Sequence, residues 1–237
     1  MRRRVSRPAA ERTASRVRPA RRGAVREDED RPPDALKIYD ISRRINPRTF
    51  VWPGDVPFSY RTTSSLAGGD LYESTCFTMS SHAGTHADAP NHVVTREATI
   101  GDMPLAPYVG RAQVIDLPGR GEIGPDELPG KSLRVRRVLF RTRGRAFLSP
   151  LAALRLVEKG LVLVGTDAHS IDPPDAEDLP AHRTLLSNGI ALLEHLALEG
   201  IDEGEYQLVA LPLRFDDLDA SPVRAVLIRG WIAPGDR

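Results

Sequence analysis

Between Ser81 and His92 the chain reads Ser-His-Ala-Gly-Thr-His-Ala-Asp-Ala-Pro-Asn-His, so three of its six histidines and one aspartate fall within eleven residues. Imidazole nitrogen and carboxylate oxygen are the usual ligands of a borderline divalent metal such as zinc. His82, His86, Asp88 and His92 all occupy even positions, which on an ideal strand would put them on one face. A strand rises ~3.3 Å per residue, however, and would leave His82 and His92 about 33 Å apart. A helix would bring His82 and His86 together and turn Asp88 away from His82. Neither regular element gathers all four. A curled segment does, and Gly84 and Pro90 allow the backbone to curl. The expected arrangement is His82, His86 and Asp88 around a metal, with His92 beside them. Three N/O ligands with an open position describe a catalytic rather than a structural site.

Other residues have weaker claims. His182, in Leu179-Pro180-Ala181-His182, follows a polar loop, and Glu194 closes the apolar run Ile190-Ala191-Leu192-Leu193. A carboxylate ending a buried strand needs a partner, because an unpaired buried charge is costly. His169 and His195 are read as structural. Trp52 precedes the Pro53-Gly54 turn and could be a core plug or a pocket wall; the residues alone favour the core. No G-x-S-x-G stretch is present, which argues against a serine nucleophile.

The elements that must carry these residues are mostly strands. Alternating or continuous apolar runs predict strands at 37–41, 75–79, 112–117, 138–142, 161–167, 190–193, 207–211 and 223–228. The segment 138–142 is apolar enough to be central. A short helix is predicted over 150–159, with Ser149 as N-cap, Pro150 at its first position and Gly160 after its end. Many strands with few long helices imply a mixed α/β or β-rich single domain.

A chain of 237 residues, 41% of them apolar, can bury a full core. It has no run of eighteen apolar residues, and its N-terminus lacks the apolar stretch of a secretory signal. The single cysteine, Cys76, excludes an internal disulfide and fits a reducing cytoplasm. The net charge of +1 hides an asymmetry: residues 1–34 hold 11 arginines against 6 acidic residues, and the remainder is mildly acidic. Residues 1–35 are therefore expected to form a disordered basic tail, with the folded domain over 36–237. The tail has no stacking aromatics, and the acidic remainder argues against a nucleic-acid surface. No nucleic-acid or membrane partner is expected.

The stretch His82-Ala83-Gly84-Thr85-His86-Ala87-Asp88-Ala89-Pro90-Asn91-His92 resembles the HxGTHxDxPxH signature of the cyclase-like metal hydrolases. Further stretches resemble their kynurenine formamidase (arylformamidase) branch: Trp52-Pro53-Gly54-Asp55, Pro104 to Gly110, Leu163 to Asp167, Leu179 to His182, and Ala220 to Leu227. The resemblance implies a swivelling β/β/α domain, commonly a homodimer, with two divalent ions, usually zinc, manganese being the alternative. It implies that His82 and His86 bind the first ion and that Asp88 bridges both. His182 would bind the second, with Glu194 bridging or binding alongside. His92 would be the acid/base and Trp52 a wall of the substrate pocket. The implied reaction is hydrolysis of N-formyl-L-kynurenine to L-kynurenine and formate. The chain departs from that branch where Pro173 to Asp178 replaces a Ser-Lys pair, a change that bears on the pocket. The rival readings are a related amide hydrolase, such as an isatin hydrolase, and a non-catalytic metal-binding module. An acid/base at His92 speaks against the last.

Overall fold

The computed structural model describes residues 36–117, 119, 121–128 and 133–230. The expected tail at 1–35 lies outside the described residues. The strands are β1 (Lys37–Asp40), β2 (Ser59–Ser64), β3 (Ser74–Thr78), β4 (His86–Asp88), β5 (Val109–Asp116), β6 (Gly121–Ile123), β7 (Arg137–Arg141) and β8 (Ala146–Leu148). Helix α1 (Pro150–Glu158), β9 (Leu163–Thr166), helix α2 (Pro180–Ser187), β10 (Ala191–Glu194), β11 (Gly204–Val209), β12 (Ala220–Pro222) and β13 (Val226–Arg229) follow. Nine of these strands form one mixed sheet in the order β1-β13-β11-β5-β7-β9-β10-β4-β12. β2 and β3 make a separate hairpin, and β6 and β8 a short parallel pair.

The predicted strands are all present, with ends shifted by a few residues. β7 lies in the middle of the large sheet, as its apolar run requires. α1 starts where expected: the Ser149 hydroxyl accepts the Ala152 N–H at 3.0 Å, and Pro150 occupies the first turn. The prediction did not include β2, β4, β6, β8, β12 or α2. β2 is polar and mostly exposed, β4 is only three residues long, and α2 hides behind a mixed polar segment.

Alternation along the central strands divides the core in two. Leu139, Leu163, Leu193 and Ala87 point to one face, where Tyr108, Val114, Leu208 and Leu227 also pack. Val138, Phe140, Val164 and Leu192 point to the other, against Leu156 of α1 and Leu185 of α2. The sheet also curls toward closure. The Ile41 N–H bonds Ala225 O, the Ala197 N–H bonds Ile41 O, and Ser42 bridges Leu196, tying the chain after β1 to the chain after β10. The outcome is a mixed α/β domain, one of the two classes the pattern left open, with both helices on one face of the sheet.

Candidate metal centre and substrate cavity

The centre lies where β10, β4 and β12 run side by side. β4 is antiparallel to both neighbours, with His86 opposite Glu194 and Pro222, and Asp88 opposite Leu192 and Ala220. His86 and Asp88 are two apart, so both project to the face that α2 covers. Glu194 shares that face because paired residues in a ladder point the same way. Small Ala220 beside Asp88 leaves room there. His82 precedes the strand in a turn whose pivot is Gly84, at φ +74, a left-handed value that favours glycine. The expected curled segment is thus a turn, a three-residue strand and a single 3-10 turn, Pro90–His92, that lifts His92 out of the sheet plane.

From the other side comes α2. Ala181, His182, Leu185 and Leu186 form its buried face. Its first N–H groups have no cap from Leu179; the Asp172 carboxylate takes the Ala181 and His182 amides at 2.8 and 2.9 Å. That carboxylate also accepts the His182 Nδ1–H at 2.6 Å, which turns His182 Nε2 toward the sheet.

The side chains converge closely. His82 Nδ1 lies 3.1 Å from Asp88 Oδ1, and His86 Nε2 lies 3.3 Å from the same oxygen. His182 Nε2 is 3.0 Å from Glu194 Oε1 and 3.6 Å from Asp88 Oδ2. Glu194 Oε2 faces His86 Nε2 at 3.5 Å. Of three candidate ligand groups, two share Asp88: His82, His86 and Asp88 on one side, Asp88, His182 and Glu194 on the other; the third, His82, His92 and Asp219, is only partly buried. Each puts one ligand atom per residue within 4.8 Å of the others.

These residues fit a divalent metal on three grounds. His86 Nε2 and both Asp88 oxygens are buried without a hydrogen-bond partner, which is rare for native polar atoms unless an ion or water satisfies them. The donors are imidazole nitrogen and carboxylate oxygen. Finally, the far nitrogen of each histidine is held: His86 Nδ1–H by Gly84 O at 2.9 Å, His182 by Asp172, and His82 Nε2–H by Asp219 at 3.0 Å. Metal-ligating histidines are oriented in this way as a rule.

Electrostatics follow from the crowding. Burial alone would push the His86 imidazole down, yet the Asp88 and Glu194 carboxylates pull it up to about 10. His82 rises to about 9 against the same burial, through Asp219 and Asp88. Burial would raise Glu194, and His182 overrides it, bringing the carboxyl down to about 2. Asp88 is likewise held well below the carboxylate range by the histidines around it, against its own burial. The cluster binds positive charge strongly, and protons are competitors for any cation.

Above this floor opens a cavity of about 350 Å³. His82, His92, His182, Glu194 and Asp219 line one side; Trp52, Leu179, Pro173 and Pro174 line the other. Trp52 is half-buried in that wall, not in the core, which corrects the residue-level preference and agrees with the resemblance. The departure at Pro173 to Asp178 falls in the same wall. His92 sits at the rim with its Nδ1–H on Asp219 Oδ2 at 3.2 Å. His169 and His195 stay outside: His169 stacks on Phe50, His195 meets both of those rings edge-on, and burial drives His195 down to about 3. All seven expected site residues thus border one cavity or its floor. Asp172 and Asp219 were missed. Asp172 ends the loop Asp167 to Asp172, which could be read as bordering the site but offered no reason to pick that residue, and Asp219 was one of three aspartates in Phe215-Asp216-Asp217-Leu218-Asp219, with no spacing to single it out.

Residues 39–173 match the model of the family described as "Putative cyclase", and the chain belongs to that family. It is 39% identical over 206 residues to a kynurenine formamidase of Paracidovorax citrulli, a match that covers 80% of this chain and 95% of that one. Among solved structures it resembles one described as a predicted metal-dependent hydrolase from Bacillus stearothermophilus. That match has 30% identity and a TM-score of 0.70, and covers 86% of this chain and 100% of that one. It also superposes on isatin hydrolase A from Labrenzia aggregata, with a TM-score of 0.72 over 83% of this chain and 94% of that one. At 23% identity this last likeness concerns the fold alone.

Proposed function

We infer that this protein is a metal-dependent arylformamidase that hydrolyses N-formyl-L-kynurenine to L-kynurenine and formate. The observation that carries the reading is the floor of ligand atoms set beneath a cavity that the His92 imidazole lines, in a chain near 40% identical to kynurenine formamidases along most of its length. His82, His86, Asp88, His182 and Glu194 are assigned as ligands of two divalent ions, zinc by preference and manganese as the alternative, with Asp88 shared. When bound, such ions supply a Lewis acid and allow water to ionise near neutral pH.

The chain's own groups do the rest. Hydrolysis adds water across the formyl carbon–nitrogen bond, and the aryl nitrogen is a poor leaving group unless protonated. His92 lines the cavity with Nδ1 held by Asp219, which leaves Nε2 to accept a proton as water attacks and return it to that nitrogen as the bond breaks. Trp52 packs against the aryl ring across the cavity. The prolines and Leu179 exclude water from that face, which strengthens the electrostatics below. The protein is assigned as cytoplasmic and homodimeric; among the described residues no helix is long and apolar enough to cross a membrane.

The test is an absorbance assay with formylkynurenine and isatin in parallel, with and without chelator. Chelator-sensitive turnover of formylkynurenine, exceeding that of isatin, is expected. Preference for isatin would move the protein to another branch of the family, and turnover of neither by metal-loaded protein would overturn the enzymatic reading.

A further inference from the structure

Asp219 stands just before β12, an edge strand whose only ladder partner among the described residues is β4. The Ala89 N–H bonds the Asp219 carbonyl at 2.9 Å, so the ladder fixes Asp219 next to the ligand strand. Its carboxylate does two things at once. Oδ2 accepts from His82 Nε2 at 3.0 Å and from His92 Nδ1 at 3.2 Å, while Oδ1 accepts the Ser81 hydroxyl at 3.1 Å. The His82 and His92 rings are 4.4 Å apart, so one oxygen reaches both.

A neutral imidazole has one N–H and one lone pair, and the partner of one nitrogen decides which is which. With Nε2–H on Asp219, His82 turns its Nδ1 lone pair to the cluster, as a ligand must. With Nδ1–H on the same oxygen, His92 carries its lone pair on Nε2, as a proton acceptor must. We propose that Asp219 is a positioning residue that sets both tautomers together, coupling the metal floor to the proton shuttle through one carboxylate oxygen. The inference rests on the assignment of His92 as acid/base, and the experiment separates the two.

Side-chain exposure of 41% at Asp219 makes substitution there compatible with folding. Asp219→Ala and Asp219→Asn are made alone and on His92→Ala, and each is assayed at saturating zinc so that a weakened His82 ligand is compensated. Zinc affinity is measured separately by competition with a chromogenic chelator. The ring-nitrogen spectrum of His92 is recorded in metal-free protein at a pH where that ring is neutral. Expected for Asp219→Ala are a kcat loss of about 10- to 100-fold with KM moved less than about threefold, and zinc affinity lower by a similar factor. The His92 proton should shift from Nδ1 toward Nε2. Asp219→Asn keeps an acceptor oxygen, with its amide donating to Ser81 Oγ, and should rescue most of the tautomer and part of kcat. On His92→Ala, removal of Asp219 should change kcat by less than about twofold, because residues acting as a unit are not additive.

Unchanged kcat and an unchanged His92 tautomer in Asp219→Ala would overturn the proposal, as would a full additional loss on His92→Ala. If His92→Ala alone keeps wild-type turnover, the shuttle assignment fails instead. The tautomer and zinc-affinity readouts then still decide the role of Asp219.

Discussion

Asp88 and Asp219 both touch His82, one at each ring nitrogen, yet they belong to different worlds. Asp88 is fully buried, its oxygens facing three histidines, while Asp219 keeps 41% of its side chain exposed. The same contrast separates the whole floor from the whole rim. His86, His182 and Glu194 are almost as inaccessible as Asp88, whereas His92 and Trp52 stand partly in solvent. The floor concentrates charge where water cannot screen it, which suits cation binding. The rim keeps groups free to meet substrate and exchange protons. Positions on the floor should therefore govern metal and stability, and positions on the rim should govern turnover with metal retained.

The strongest way to break that division is Asp88→Ala. It removes the residue common to both ligand groups, and activity is expected to fall by at least ~10³-fold with loss of bound metal. Full metal retention in elemental analysis would sink the shared-ligand assignment. His92→Ala is the rim counterpart: kcat should drop by about 10²- to 10⁴-fold while metal content stays at the wild-type level. Asp172→Ala probes the floor from outside. Freed from its carboxylate, His182 should bind metal about 10- to 100-fold more weakly, and α2 loses its N-terminal acceptor. Trp52→Ala, at the rim, should raise KM about 2- to 10-fold with little change in kcat, the size of one lost aromatic contact; an equal fall in kcat would point to a structural role instead.

The smallest effect concerns metal-free protein. His82 and His86, raised from 6.5 to about 9 and about 10, stabilise the fold fully below pH 6.5, and that contribution is lost as pH rises through the raised values. Glu194, lowered from 4.5 to about 2, contributes above pH 4.5 and loses its share as pH falls toward 2. These are two ends of the same ion pairs. Thermal unfolding of chelated protein should therefore show greatest stability between pH 4.5 and 6.5. Saturating metal should move that optimum upward, because ligation needs neutral imidazoles. An optimum that does not move with metal would contradict the floor assignment.

Much of this arrangement was legible in the chain. The apolar runs around Leu139, Leu163 and Leu192 announced the central strands because burial on both faces leaves no polar alternation to misread. His82, His86 and Asp88 were legible because they are contiguous. His182 and Glu194 were not, from residue types alone. They reach the site through the packing of α2 on β10, a contact between segments with no shared sequence pattern, and only the family resemblance raised them. Asp219 was least visible. It is delivered by the register of a three-residue edge strand, and its neighbours Asp216 and Asp217 carry the same chemistry without the same place.

The most direct measurement is a titration of chelator-stripped protein with zinc, following formylkynurenine turnover at each addition. The account predicts no turnover in the stripped protein and a rise that levels off at two ions per chain. Substantial turnover before any metal is added would contradict it.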